Sequence, residues 1–356
     1  MKVGIIGLPQ TGKKTLFQIL TGNEITEPAK AFKPVPGTAD ILDTRFNTLV
    51  DLYAPKKEVM ARLDLVLLPK MEAETISKGD IFKDIADMDA ICHVVRAFED
   101  DAIYHAEGAV DALRDFHMVN SELVMHDQIF VEKRIERLEA MVKKIKDEDQ
   151  QKELALMKKM QGHLEQERPL RLLELTEDED KMIRSYPFIT RKKMVIAVNV
   201  GEDDLKNKTL MDGFKAACDR LMIEAMLVSA KVEAEIAVLD TQEEKDEFLA
   251  DMGITATALE TLTALCLKSL NLISFFTVGQ DEVRQWLVRK DSKAPAAAGV
   301  IHSDLERGFI RAEVFKYDDL MALGSEAEVK KNGKFNVEGK EYTVVDGDIL
   351  NIRFSV

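Results

Sequence analysis

The chain has 356 residues, is 46% hydrophobic and 32% charged, and carries a formal net charge of −15 at pH 7. This length and mixture predict two or three folded domains with sizeable cores. The acidity excludes sequence-blind nucleic-acid binding by the whole surface and leaves room only for a local basic patch.

Cys92, Cys218 and Cys266 are far apart and have neither metal-ligand nor disulfide-framework spacing, so a reduced, cytosolic setting is expected. The N-terminus opens directly on a strand-like KVGIIG, without a basic and apolar leader. No apolar run approaches the ~18 residues that cross a bilayer. A cytoplasmic protein with no membrane partner is the expectation.

In chain order, KVGIIG reads as a strand and KKTLFQILTG (13–22) as a helix with Leu16, Phe17, Ile19 and Leu20 for packing. Short apolar runs follow at 63–68, 90–98, 194–200 and 223–229, several of them separated by helical segments. That alternation predicts an α/β domain with a mainly parallel sheet covered by helices. The interval 115–190 contains no strand-like run. Val131, Ile135, Leu138, Val142 and Ile145 are spaced 4, 3, 4 and 3 apart, the seam of a helical pairing. After the polar break KDEDQQKE (146–153), helical spacing resumes at Leu154, Met157, Met160 and Leu164. An antiparallel helical hairpin, inserted between two strands, is predicted. Nine Lys/Arg and seven Asp/Glu between 131 and 160 make it only weakly basic, and a solvated hairpin without a ligand is an equal reading. From about 273 the runs LISFFTVG, FIRAEVF, EYTVVDGD and ILNIRFSV are β-rich, with turns at VKKNGKF and VDGD. The predicted domains are 1–114 with 191–272, the hairpin 115–190, and a small α+β domain 273–356.

The strongest local signal is GLPQTGKKT (7–15), which matches G-x-x-x-x-G-K at Gly7, Gly12 and Lys13, after a strand and before a helix. In such a loop, backbone N–H groups and the helix N-terminus hold phosphates. Gly7 permits the turn, Gly12 close backbone approach, and Lys13 reaches the β- and γ-phosphates. Position 14 normally supplies a Ser or Thr hydroxyl to Mg²⁺. Here it is Lys14, whose ammonium has donors and no lone pair for a metal. Thr15 does not simply replace the hydroxyl, because one residue along a helix turns the side chain by about 100°. Lys14 either adds its charge to the phosphates or points to solvent; in both cases Mg²⁺-assisted transfer is impaired.

Two later segments fall where related folds read a base. NVGE ends the run at 194–200, with Glu202 in the acidic position of N-K-x-D and Val200 in place of its lysine. SAKVEAE, from Ser229, follows the next strand, in the order of an S-A-K loop. Asn and Gly are also a common turn pair, so NVGE alone is equally a strand-end turn.

Together GLPQTGKKTLFQILTG, VNVGE, SAKVEAEIAVLD, SFFTVGQDEVRQW, AAAGVIHSDLERGFIRAEV and VVDGDILNIRF resemble the YchF / Obg-like ATPase family, over 1–356 and most weakly between about 23 and 85. The resemblance implies a P-loop domain, an inserted coiled coil and a C-terminal TGS domain of ubiquitin-like β-grasp fold. It implies ATP preferred, or accepted along with GTP, a cytoplasmic location, and association with ribosomes or translation factors, with RNA a further partner through the TGS domain. Phosphate contacts are implied at Pro9, Gln10, Thr11, Gly12, Lys13, Lys14 and Thr15, and base contacts at Asn199, Val200, Glu202, Ser229, Ala230 and the adjoining Lys231.

The chain departs from the family twice at metal-linked positions. The family has Ser at the place of Lys14, and a D-x-x-G after the second core strand. Here that run is LDLVLLPK, and no D-x-x-G forms around Asp64. Thr38 in PVPGTAD is a weak candidate for a switch threonine. The expected function is therefore nucleotide binding with weak or absent hydrolysis, Mg²⁺ doubtful as a cofactor, no metal ligand assigned and no catalytic residue assigned. The alternative is a non-hydrolysing scaffold that binds ribosome, RNA or protein through the hairpin and TGS domain. His93 and Cys92 are expected in the core, and His302, Asp304 and Glu306 in structural or partner-binding roles.

Overall fold

A computed structural model of the chain describes residues 1–25, 33–72, 75–76, 79–105, 108–144 and 147–355, leaving aside the side chain of Gln242. These residues divide into two compact units, 1–39 with 64–262, and 40–63 with 263–355.

The first unit is built on a six-stranded sheet. Its strands are β1 (Lys2–Ile6), β2 (Val35–Asp40), β4 (Arg62–Leu67), β5 (Ala90–Arg96), β6 (Lys193–Asn199) and β7 (Glu224–Val228), in the order β2-β4-β1-β5-β6-β7. β1 pairs parallel with β4 and β5, and β5, β6 and β7 are parallel in turn. The registers Ile5↔Leu67 and Ile5↔Cys92 bring the C-terminal ends of β4, β1 and β5 level. Every residue of β5 is buried, as expected of a strand covered on both faces. Helix α1 (Lys13–Thr21) leaves the end of β1 and buries Leu16, Phe17 and Leu20, while Ile19 is only partly covered.

The helical pair is present as α4 (Ala112–Val142) and α5 (Glu148–Leu164). Val131, Ile135 and Leu138 pack with Leu156, Met157, Met160 and Leu164 in one apolar cluster. Arg134 spans the pair to Glu153, 2.7 Å away. Ile145 and Lys146 of the predicted seam and break lie outside the described residues. The N-terminal half of α4 also packs on the sheet, through Phe116, Val119 and Leu123.

The second unit carries a mixed sheet. Its strands are β3 (Glu58–Val59), β8 (Leu272–Thr277), β9 (Val283–Arg289), β10 (Phe309–Lys316), β11 (Asn336–Glu338) and β12 (Asp348–Phe354), in the order β11-β10-β12-β8-β9-β3. β8 and β9 form an antiparallel hairpin, and β12 lies parallel to β8. Ala294, Ala297 and Ala298 of the helix Ala294–Ile301 pack with Phe275, Ala312 and Leu350 of the sheet. This is the β-grasp arrangement that the TGS resemblance implies.

Residues 40–63, expected with the nucleotide-binding domain, cluster instead with the C-terminal residues. The reason is apolar burial. Phe46 and Leu49 of helix α2 (Thr44–Tyr53) are buried with Phe276, Val283, Phe315, Leu320 and Ile349. Burying two such side chains stabilises by roughly 3–6 kcal/mol. Arg45 binds Asp346 at 2.6 Å, Tyr53 donates to Glu326 at 2.7 Å, and β3 adds to β9. β2 and β3 were not foreseen either: VPGTAD contains Pro and Gly, which strand interiors disfavour and an edge strand tolerates.

Candidate functional site

The loop between β1 and α1 is held in a fixed shape by its sequence. Gly7 lies against β5: a Cβ there would stand 2.5 Å from the carbonyl oxygen of Val94. Gln10 (φ 61°) and Gly12 (φ 82°) are left-handed. A Cβ on Gly12 would also collide with Asn199 Nδ2. Gly12 is the N-cap of α1, and no side chain caps that terminus. The first-turn amides of α1 are thus available to an anion.

Lys13 is buried, and its Nζ donates to the carbonyls of Gly7 at 2.9 Å and Leu8 at 2.8 Å. Burial, then the charges of Lys70 and Lys14, bring its pKa down to about 7, with Glu72 acting the other way. The β1-to-α1 loop and the segment after β4 are joined by backbone: Leu68 N donates to Ile5 O, and Met71 N to Gly7 O. Thr75 Oγ1 closes the following turn onto Lys70 O and Glu72 O.

These elements surround a cavity of about 370 Å³. It is lined by all seven expected phosphate-loop residues, Pro9 to Thr15, and on the other side by Leu67, Leu68, Pro69 and Lys70. Lys33 adds a fourth ammonium to those of Lys13, Lys14 and Lys70. Lys14 is exposed, and Lys70 pairs with Glu72 at 3.3 Å. Among the described residues, four lysines line the cavity and Glu72 pairs with one of them, a concentrated positive site in an acidic protein.

The segments expected near a base adjoin the loop through Asn199. Its Nδ2 donates to Thr11 O and its Oδ1 accepts from Ala230 N, both at 3.0 Å. One amide therefore ties the phosphate loop to the Ser229–Ala230 turn. Val200, Ser229 and Ala230 are buried, and Ser229 Oγ caps the helix Ala230–Ala237. Glu202 and Lys231 are exposed. None of these six residues lines the 370 Å³ cavity itself.

Register locates what the sequence left open. β4 ends at Leu67, so a D-x-x-G starting at the strand end falls on Leu67, Leu68, Pro69 and Lys70. Asp64 is remote from the loop, opposite Lys2 in β1 and 3.3 Å from the N-terminal ammonium. Leu67 offers no oxygen where the aspartate would stand, and Pro69 offers no N–H. With Lys14 in place of the hydroxyl, neither oxygen expected for Mg²⁺ is supplied. Thr15 reaches the cavity wall, one position further round the helix. Among the described residues, no group of three or more His, Cys, Asp or Glu is placed to hold a metal. Lys14 and Leu67 themselves offer no ligand oxygen to Mg²⁺. Sequence reasoning missed Lys70, whose position depends on where β4 stops.

Thr38 is exposed in β2 and borders a different hollow, with Lys2, Asn23 and Asp64. His93 is buried behind the loop, opposite Ile6. Burial and the nearby Lys13 bring its pKa down to about 3, so it is a neutral core residue. Cys92, Cys218 and Cys266 are buried and unbridged. His302 accepts from Asp304 N at 3.2 Å as the N-cap of a five-residue helix, and Arg307 pairs with Asp304. No helix among the described residues is long and apolar enough to cross a membrane.

The parallel sheet, the glycine loop and the Lys13 cradle define a P-loop nucleotide-binding fold. Four similarities narrow the class. Residues 272–355 match the family model YchF-GTPase_C, described as a protein of unknown function. The chain is 38% identical to the ribosome-binding ATPase YchF of Bacillus subtilis, over 100% of both chains. It is 36% identical to Obg-like ATPase 1 of Caenorhabditis elegans, over 100% of this chain and 92% of that protein. The solved structure of the Schizosaccharomyces pombe YchF GTPase superposes with a TM-score of 0.85 at 31% identity, covering 99% of this chain and 97% of that one. The chain belongs to the YchF / Obg-like ATPase family.

Proposed function

We propose that this protein binds ATP or GTP at the Pro9–Thr15 loop, turns it over weakly or not at all, and associates with the ribosome in the cytoplasm. The observation that carries the nucleotide reading is the Lys13 cradle opening on a 370 Å³ cavity at the end of β1. Lys13 is held by two carbonyls in the loop and is positioned to exchange them for phosphate oxygens. The full-length similarity to proteins named ribosome-binding ATPase supports the ribosome as partner. Glu202 and Lys231, both exposed, are assigned to the base, next to the Asn199 clamp in sequence and to Ala230 respectively.

Weak turnover follows from charge placement. Phosphoryl transfer depends on positioning and on neutralising the developing charge. Both metal-linked positions are changed, at Lys14 and at Leu67–Lys70. Calorimetric titration with ATP, GTP and ADP tests binding, and release of labelled phosphate tests turnover. Micromolar binding with negligible phosphate release is expected. Absence of binding up to millimolar nucleotide would remove the nucleotide reading and leave the scaffold alternative. Lys14→Ser alone is expected to raise Mg²⁺ dependence with little turnover; full turnover in that variant would contradict the claim that both losses matter. Cosedimentation with ribosomes, with and without ATP, tests the partner.

A further inference from the structure

We propose that this site binds its nucleotide as the metal-free polyphosphate anion, with the ammonium groups of Lys14 and Lys70 standing where a divalent cation would otherwise bridge the phosphates. The inference rests on the nucleotide reading above and deepens it. Two changes on separate segments converge on one place. Lys14 stands on the first turn of α1, and Lys70 on the segment after β4, pinned to the loop by the Met71–Gly7 hydrogen bond. Both line the same cavity. Lys13 lies within electrostatic reach of both, and of Lys70 the more strongly.

Charge arithmetic favours exchange over simple loss. Two lysines carry the charge of one Mg²⁺. Close to a phosphate oxygen, each is attracted more strongly at a protein surface than in bulk water. Lys14 and, beside Lys70, Leu67 also stand where the hydroxyl and carboxylate that a hard cation requires are expected. Mg²⁺ bound to the triphosphate would sit against ammonium groups, which repel it. With Lys33 and Lys13 also at the cavity, the lining complements the more highly charged, metal-free form. Glu72 holds Lys70 in the free protein, and an incoming phosphate competes with it at 3.3 Å of separation.

The experiment is titration calorimetry of the full-length protein with ATP, in buffer with excess Mg²⁺ and in buffer with EDTA. Inorganic tripolyphosphate in a parallel arm isolates the phosphate contribution. Affinity in EDTA at least equal to that in Mg²⁺ is expected. Tighter binding in Mg²⁺ overturns this inference and leaves nucleotide binding standing. No binding in either buffer overturns both. The Lys14→Gln, Lys70→Gln double variant is expected to lose on the order of tenfold in EDTA. Both side chains are at least partly exposed, and an unshifted melting temperature confirms that the fold survives. Unchanged affinity in the folded double variant overturns the role assigned to these lysines.

Discussion

The loop that forms one wall of the cavity, residues 7–15, keeps two glycines, a left-handed Gln10 and the buried Lys13. The facing wall, residues 67–70, is two leucines, a proline and a lysine. On the proposed reading the first wall would hold phosphate by backbone geometry, which tolerates few substitutions: a Cβ at Gly7 or Gly12 meets the Val94 carbonyl or the Asn199 amide. The second wall would act through side-chain oxygens on a metal, and Leu67 and Lys14 stand where those oxygens are expected. On the same reading, phosphate binding and metal handling are separable in this fold, because they reside on different segments, tied among the described residues by backbone hydrogen bonds such as Met71 N to Gly7 O.

The largest effect should come from breaking the first wall. Lys13→Met removes the lysine bonded to the Gly7 and Leu8 carbonyls, and ATP affinity is expected to fall on the order of 100-fold by calorimetry. Retained affinity would show that the outer lysines suffice. Rebuilding the second wall should come next. The triple variant Lys14→Ser, Leu67→Asp, Lys70→Gly restores the hydroxyl, the carboxylate and the flexible amide. Its ratio of affinity in Mg²⁺ to that in EDTA should rise on the order of tenfold over the wild type. Leu67 is buried, so a loss of stability of roughly 1–3 kcal/mol should accompany the gain.

A pH test follows from Lys13, whose pKa burial brings down to about 7. Between about pH 7 and its ordinary value of 10.5, the unfolded chain holds a proton that the folded chain lacks. This group therefore makes the free protein more stable as pH rises through that window. A bound polyanion restores the proton, so binding at about pH 8 should take up close to one proton, falling towards none at about pH 6. Calorimetry in buffers of different ionisation heat measures this uptake, and no uptake at the higher pH contradicts it. The smallest effect is expected for Glu72→Gln, which frees Lys70 from its partner. A gain of about threefold in affinity in EDTA is the outcome for such a half-exposed pair.

The first wall was legible in the sequence because its physics demands particular residues at fixed spacing: glycine where a Cβ collides and lysine where the helix begins. The parallel strands were legible as apolar runs, and the hairpin seam as a 4-3 rhythm. The second wall was not. Asp64 drew attention as the nearest carboxylate, yet it sits at the far end of β4, and only the pairing Ile5↔Leu67 shows where the strand ends. Lys70 carries no local signature, and its meaning comes from its neighbour across the cavity. Residues 40–63 escaped for a similar reason. Phe46 and Leu49 show helical spacing, but their partners, such as Phe276 and Leu320, lie more than 200 residues away in sequence.

The most direct test of metal-free binding watches the cation rather than the nucleotide. Mn²⁺ and ATP are mixed so that most of the Mn²⁺ is bound, and the protein is added while free Mn²⁺ is followed by electron paramagnetic resonance. If the site prefers the bare polyphosphate, the protein withdraws ATP from its metal complex, and the free Mn²⁺ signal rises with each addition. A fall in that signal, showing Mn²⁺ carried into a ternary complex, would contradict the account.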